Sequence, residues 1–192
     1  IAETDRLRKG EIAEGLASAL YAAAFQARDA GVFRERMSRA VVGYGEAKVT
    51  YDGSKDAKRA PRILRCDSMI AFARYWLAAE PSERKARLEE SWGIATKALD
   101  AFEGLGEYDE FGRTYLELSR GVDILLHFEW DDQVREKTNK QAADYGEKAL
   151  RLLSLGGDAR ELARIFVKTA VFLYDIEDPE ERKACRSSEK VA

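Results

Sequence analysis

Histidine occurs once and cysteine twice in 192 residues, and this scarcity removes most site chemistries before any pattern is read. Cys66 and Cys185 stand far apart with no Cys-x-x-Cys spacing, so neither a disulfide framework nor a zinc site is indicated. His127 has Asp123 one helical turn behind it, but no second histidine exists for the Glu-x-x-His pairs of carboxylate metal bundles. Nor does the sequence close a Ser-His-Asp or Cys-His set around it. The expectation is a protein that is not an enzyme and holds no metal or cofactor. Long apolar runs are missing too. None approaches the ~20 residues of a membrane-spanning helix, and the N-terminus lacks the apolar core of a signal peptide. The sequence therefore predicts a soluble, cytoplasmic protein that does not engage membranes. A net charge of −3 with 35% charged residues gives no global pull toward nucleic acid, so local clusters must carry any such case.

What is present is a repeat. Lys97 to Leu118 is written again 51 residues later, from Lys148 to Thr169, without a gap. Lys97-Ala98-Leu99 answers Lys148-Ala149-Leu150, Gly106 answers Gly157, and the run Glu110 to Tyr115 answers Glu161 to Phe166. A helix end, a glycine turn and a helix start recur together. Pro81 to Ala86 returns as Pro179 to Ala184, about two periods on. Tyr44, Ile94 and Tyr145 form an apolar column, and Gly45, Ala95 and Gly146 form a small one, as expected where a helix lies close against its neighbour. A fixed period of tens of residues marks a stacked helical array. With 45% hydrophobic residues the chain has material for one continuous core.

Helical spacing predicts the elements. Ile12, Leu16, Leu20, Ala24 and Ala27 mark a first helix over about 5–28 that Gly31 closes. Phe33, Met37, Ala40, Val41, Tyr44 and Tyr51 mark a second, broken at Asp52-Gly53-Ser54. A third starts near Pro61 with Ile63, Cys66, Ile70, Ala73, Trp76 and Leu77 inward, which makes Cys66 a small core residue. The fourth carries Leu88, Trp92, Ala95, Leu99 and Phe102, and the fifth Phe111, Tyr115, Leu118, Val122 and Leu125. Asp131 or Asp132 caps a sixth with Val134, Ala142, Tyr145, Ala149 and Leu152, which stops at Gly156-Gly157. Leu162, Phe166, Thr169, Leu173 and Ile176 mark a seventh, and Asp178-Pro179 opens an eighth. Trp76, Trp92 and Trp130 read as core or turn-packing residues. No strand pattern competes.

The second and third hairpins resemble tetratricopeptide repeats over about 92–176. Tyr115, Leu118, Ser119 and Val122 stand where that family has an aromatic, a leucine, a small residue and a large apolar one, and Phe166, Thr169, Ala170 and Leu173 follow less closely. Ala142 and Ala149, and Ser91 and Ala98 one repeat earlier, match its two alanine positions. The period near 50 rather than 34 and the missing closing proline point to a long-helix relative. The resemblance implies an all-α, right-handed α-solenoid of about three and a half antiparallel hairpins, over 5–52, 56–106, 107–157 and an incomplete 158–192. The ends, Ile1 without a methionine and Ala192 early in a helix, suggest a piece of a longer polypeptide.

The resemblance also implies a protein or peptide partner on a concave face lined by the first helix of each pair, where Arg113 and Arg164 share a column. Arg120 follows Arg113 on the same helix, and Tyr174 is a further partner-binding candidate. Such arginines would take an acidic segment or a terminal carboxylate through bidentate contacts; the alternative is a solvated pair such as Arg113 with Glu117. Lys55, Lys58, Arg59, Arg62 and Arg65, spaced at threes and fours, form a basic stripe fit for a phosphate, nucleic acid or an acidic partner. Its rival is a solvated connector, since no aromatic or glycine-rich recognition pattern interleaves it. The leading expectation is a non-catalytic interaction or scaffold module, with self-association through an open C-terminal repeat. Behind it stand a nucleic-acid or phosphate-binding regulatory domain and, last, a helical enzyme of unknown reaction.

Overall fold

The computed structural model describes residues 3–153 and 159–177. Among them are seven α-helices and no strand: α1 (Glu3–Ala24), α2 (Ala30–Asp52), α3 (Arg59–Leu77), α4 (Pro81–Gly104), α5 (Tyr108–Phe128), α6 (Asp132–Leu153) and α7 (Ala159–Glu177). The expected eighth helix, Cys185 and the Gly156-Gly157 stop lie outside the described residues. Helix boundaries follow local chemistry. Asp29 accepts the Val32 N–H at 2.9 Å and caps α2, so Gly31 lies within the first turn of α2 and does not close α1, which ends at Ala24. Pro81 opens α4, where its missing N–H costs nothing. Gly106, at φ 71°, supplies the left-handed turn between α4 and α5. Asp131 accepts from the N–H groups of Gln133 and Val134 at 2.9 and 3.1 Å and caps α6.

The chain divides into two compact units, Ile1–Thr114 and Tyr115–Ala192, with the division inside α5. In the first, α1 packs on α2, α2 on α3 and α3 on α4, while α1 meets α3 only marginally. Neighbours in sequence are thus neighbours in space. The inward stripes of α2 and α4 are those the spacing predicts: Met37, Ala40, Tyr44 and Tyr51, and Leu88, Trp92, Ala95, Leu99 and Phe102, are buried.

The expected stripe of α1 is corrected. Ile12 and Leu16 are 57% and 64% exposed, and Gly10, Glu14, Ala17 and Ala24 face inward. Close approach decides this. A β-carbon on Gly10 would stand 2.4 Å from Cε1 of Tyr51, and one on Gly43 would stand 3.1 Å from Cβ of Ala17. Small residues let α1 sit tightly on α2, and Glu14 gains charged partners that offset its burial.

In the second unit α6 packs on α7, and Tyr115, Leu118, Val122 and Leu125 of α5 are buried as expected. Gly146 sits at a contact so tight that a β-carbon there would stand 2.1 Å from Oγ1 of Thr169 and 2.6 Å from the Tyr115 hydroxyl oxygen. The small column thus marks close packing at Gly146 but not at Gly45, which has nothing within 4 Å of the same position. The expected α7 stripe holds at Thr169 and fails at Phe166. Ile165, Thr169 and Phe172 are buried, whereas Phe166 is 64% exposed. Trp130, expected in turn packing, is 77% exposed, and Val134 is exposed as well.

Candidate functional site

Two charged arrangements stand out, one in each unit. In the first, the α3 guanidinium groups turn inward because the apolar face of α3 runs most of the way round: Cys66, Met69, Phe72 and Ala73 are buried alongside Arg62 and Arg65. Arg65 donates from Nε to Glu14 at 2.5 Å and from Nη1 to Glu110. Arg62 donates to Glu110 at 3.1 Å and to the Tyr51 hydroxyl at 3.2 Å, and it pairs with Glu11 at 2.9 Å. Tyr51 in turn donates to Glu14 at 2.7 Å. Both arginines and Glu14 are at most 6% exposed.

Charge explains the titration behaviour here. Burial pushes the Glu110 carboxyl up, but the Arg65 and Arg62 guanidiniums outweigh it and hold it below the usual value. Burial, then Glu14, pushes the Tyr51 phenol up, and burial, then Glu14, does the same to the Cys66 thiol, an inert core group. Two guanidiniums meet three carboxylates, leaving their charge satisfied inside the protein.

The basic stripe therefore divides. Arg62 and Arg65 are neither solvated nor turned outward. Lys58 pairs with Glu107 at 2.7 Å, Arg59 donates to the carbonyls of Asp52 and Ser54 at 3.3 and 2.9 Å, and Lys55 is exposed. Arg113 pairs with Glu110 on its own helix at 3.4 Å.

The second arrangement is a groove of about 350 Å³ between α5 and α7, lined by Leu116, Ser119, Arg120, Arg160, Ala163, Arg164, Val167 and Lys168. Two residues expected from sequence, Arg120 and Arg164, face the same space. Both are exposed, and neither has a hydrogen-bond or ion-pair partner among the described residues. Lys168 is neutralised by Asp123. No carboxylate is among the lining side chains, and Leu116, Ala163 and Val167 supply an apolar floor. Such a groove suits an apolar side chain flanked by carboxylates. Arg160 and Lys168 were not anticipated from sequence, although their four-residue spacing about Arg164 is the mark of one helix face. Arg113 is not among the lining residues, and the Tyr174 side chain lies outside the described residues.

His127 is exposed, and its Nδ1 lies 2.6 Å from the Asp123 carbonyl oxygen. Among the described residues no group of histidine, cysteine, aspartate and glutamate has the arrangement to hold a metal ion, and no helix is long and apolar enough to cross a membrane. No family model matches the chain, and no curated protein matches it.

Proposed function

We propose that this protein is a non-catalytic interaction module, a tetratricopeptide-like stack of helix hairpins, that receives an acidic segment of a partner protein in the groove between α5 and α7. One observation carries it: Arg120 and Arg164 present unpaired charge across an apolar floor. Two guanidiniums facing a common space with no carboxylate between them repel each other, and an anionic ligand relieves that repulsion while making bidentate bonds. The apolar floor adds the desolvated contact from which interfaces draw most of their affinity. The basic stripe offers less, because Arg62 and Arg65 are engaged by Glu14 and Glu110.

The test is fluorescence anisotropy with labelled acidic peptides carrying a few leucines, against the same peptides with glutamate replaced by glutamine. The acidic set is expected to bind and to weaken with salt, and Arg120→Glu with Arg164→Glu should reduce affinity by about a hundredfold. Equal binding of the glutamine set, or preference of the groove for oligonucleotides, overturns the proposal.

A further inference from the structure

We infer that the partner segment binds as an amphipathic α-helix lying along α7, with its apolar stripe on Phe166, Val167, Ala170 and Val171 and its carboxylates toward Arg120, Arg160 and Arg164. This rests on the groove being a partner site and specifies what fills it. Helix α7 carries two apolar stripes. Ile165, Thr169 and Phe172 form the buried one. Ala163, Phe166, Val167, Ala170 and Val171 form the other, at the i, i+3, i+4, i+7, i+8 spacing of a helix face made for burial, and all five are exposed. Phe166 is 64%, Val167 60% and Val171 47% exposed. Surface helices do not ordinarily place three large apolar residues on one open face.

The repeat indicates the kind of surface that covers it. Shifted by 51 residues, Phe166, Val167 and Ala170 correspond to Tyr115, Leu116 and Ser119 of α5, which are 0%, 7% and 0% exposed. The Tyr115 hydroxyl lies against Gly146 and Thr169, where α6 and α7 meet. On α5 Tyr115 is thus covered by α6 and α7, whereas its counterpart on α7, Phe166, is uncovered among the described residues. Charge selects the occupant's sign. The cations Arg120, Arg160 and Arg164 border this face on the groove side, and no lining carboxylate opposes them. A basic helix, or one without charge, would leave Arg120 and Arg164 uncompensated. The match is therefore to an acidic amphipathic helix docked by its apolar face, the helix-in-groove mode of recognition.

The probe is a labelled peptide of about 16 residues, enough for four helical turns, with leucines at helical spacing and glutamates beside them. A scrambled peptide of identical composition keeps the charge and loses the stripe. Anisotropy and circular dichroism are read with wild type, Phe166→Glu, Phe166→Ser and Arg164→Glu. The helical peptide is expected to bind at least about tenfold more tightly than the scrambled one, with a gain of peptide helicity, and both Phe166 variants should weaken it by about tenfold or more. Phe166 does not line the groove, so its effect separates the two proposals. If the scrambled peptide binds equally and only Arg164→Glu matters, the helical inference fails and the groove stands. If neither peptide binds, both fail. If wild type dimerises and Phe166→Ser makes it monomeric, the face belongs to a second copy and the inference is overturned.

Discussion

Arg65 and Glu14 are joined at 2.5 Å although 51 residues separate them, and each side chain is less than a tenth exposed. This bond ties α1 to α3, and Glu110 on the other side of Arg65 adds the first turn of α5. A buried ion network of this kind contributes little beyond what a well-packed apolar set would, yet breaking it from one side is costly, because the remaining charges stay desolvated. Arg65→Ala is therefore expected to destabilise the protein by about 3–5 kcal/mol. Arg113→Ala removes only a half-exposed partner of Glu110 and should cost less than about 1 kcal/mol. Urea unfolding followed by circular dichroism compares the two, and equal midpoints would contradict the assigned role of Arg65.

The same network makes stability fall in acid. The Glu110 carboxyl is held below its ordinary 4.5 in the folded protein, burial being outweighed by Arg65 and Arg62. The unfolded chain takes up this proton first, so the contribution is present above about pH 4.5 and is lost as pH falls through the lower folded-state value. Glu110→Gln should lower stability at neutral pH and flatten this acid limb. The check is the urea midpoint of both proteins at half-unit steps from pH 7 downward; parallel curves would show that Glu110 does not contribute to the limb.

How much of this was legible depended on periodicity. Where a helix carries a wide apolar stripe, as α4 and α5 do, spacing alone reads the core: Leu88, Trp92, Leu99, Tyr115 and Val122 are buried. Where a helix is apolar on two faces the sequence cannot say which is covered. Spacing places Ile12 and Leu16 on α1, and Phe166 on α7, inward, and they lie outward. In α1 the deciding contacts were a glycine and a carboxylate, residues that a hydrophobicity pattern counts against burial. Arg62 and Arg65 read as a surface stripe because Glu14 and Glu110 lie 51 and 45 residues from Arg65, and no local rule links them. The repeat register pairs Arg113 with Arg164, of which only Arg164 lines the groove, and Arg120 follows from its place on the same helix as Arg113.

Asn139 is a polar residue in a buried column. It is fully buried, and neither side-chain amide atom has a hydrogen-bond partner among the described residues. One period earlier the position is Leu88, 1% exposed. A buried amide without partners costs about 1–3 kcal/mol. Asn139→Leu is therefore expected to raise stability by about 1 kcal/mol or more, through lost desolvation and gained apolar burial. A lower thermal midpoint for the variant would mean the amide has a role that its surroundings do not reveal.

Gly45 and Gly146 occupy the same repeat column, yet alanine should act on them with opposite sign. At Gly146 the new β-carbon would stand 2.1 Å from Thr169 Oγ1 and 2.6 Å from the Tyr115 hydroxyl oxygen. Helices α6 and α7 would have to separate, a cost of about 1–3 kcal/mol for overpacking. Thr169→Ala removes the nearer obstruction and should recover part of that loss when combined with Gly146→Ala. At Gly45 a β-carbon meets nothing within 4 Å, and the residue lies inside α2. There alanine only narrows the freedom of the unfolded chain and improves helix propensity, a gain of about 0.5–1 kcal/mol. Denaturation of the two single variants and the Gly146→Ala, Thr169→Ala pair decides it. A stabilising alanine at Gly146 would mean that α6 does not approach α7 this closely, whereas a destabilising one at Gly45 would place a further contact on the open face of α2.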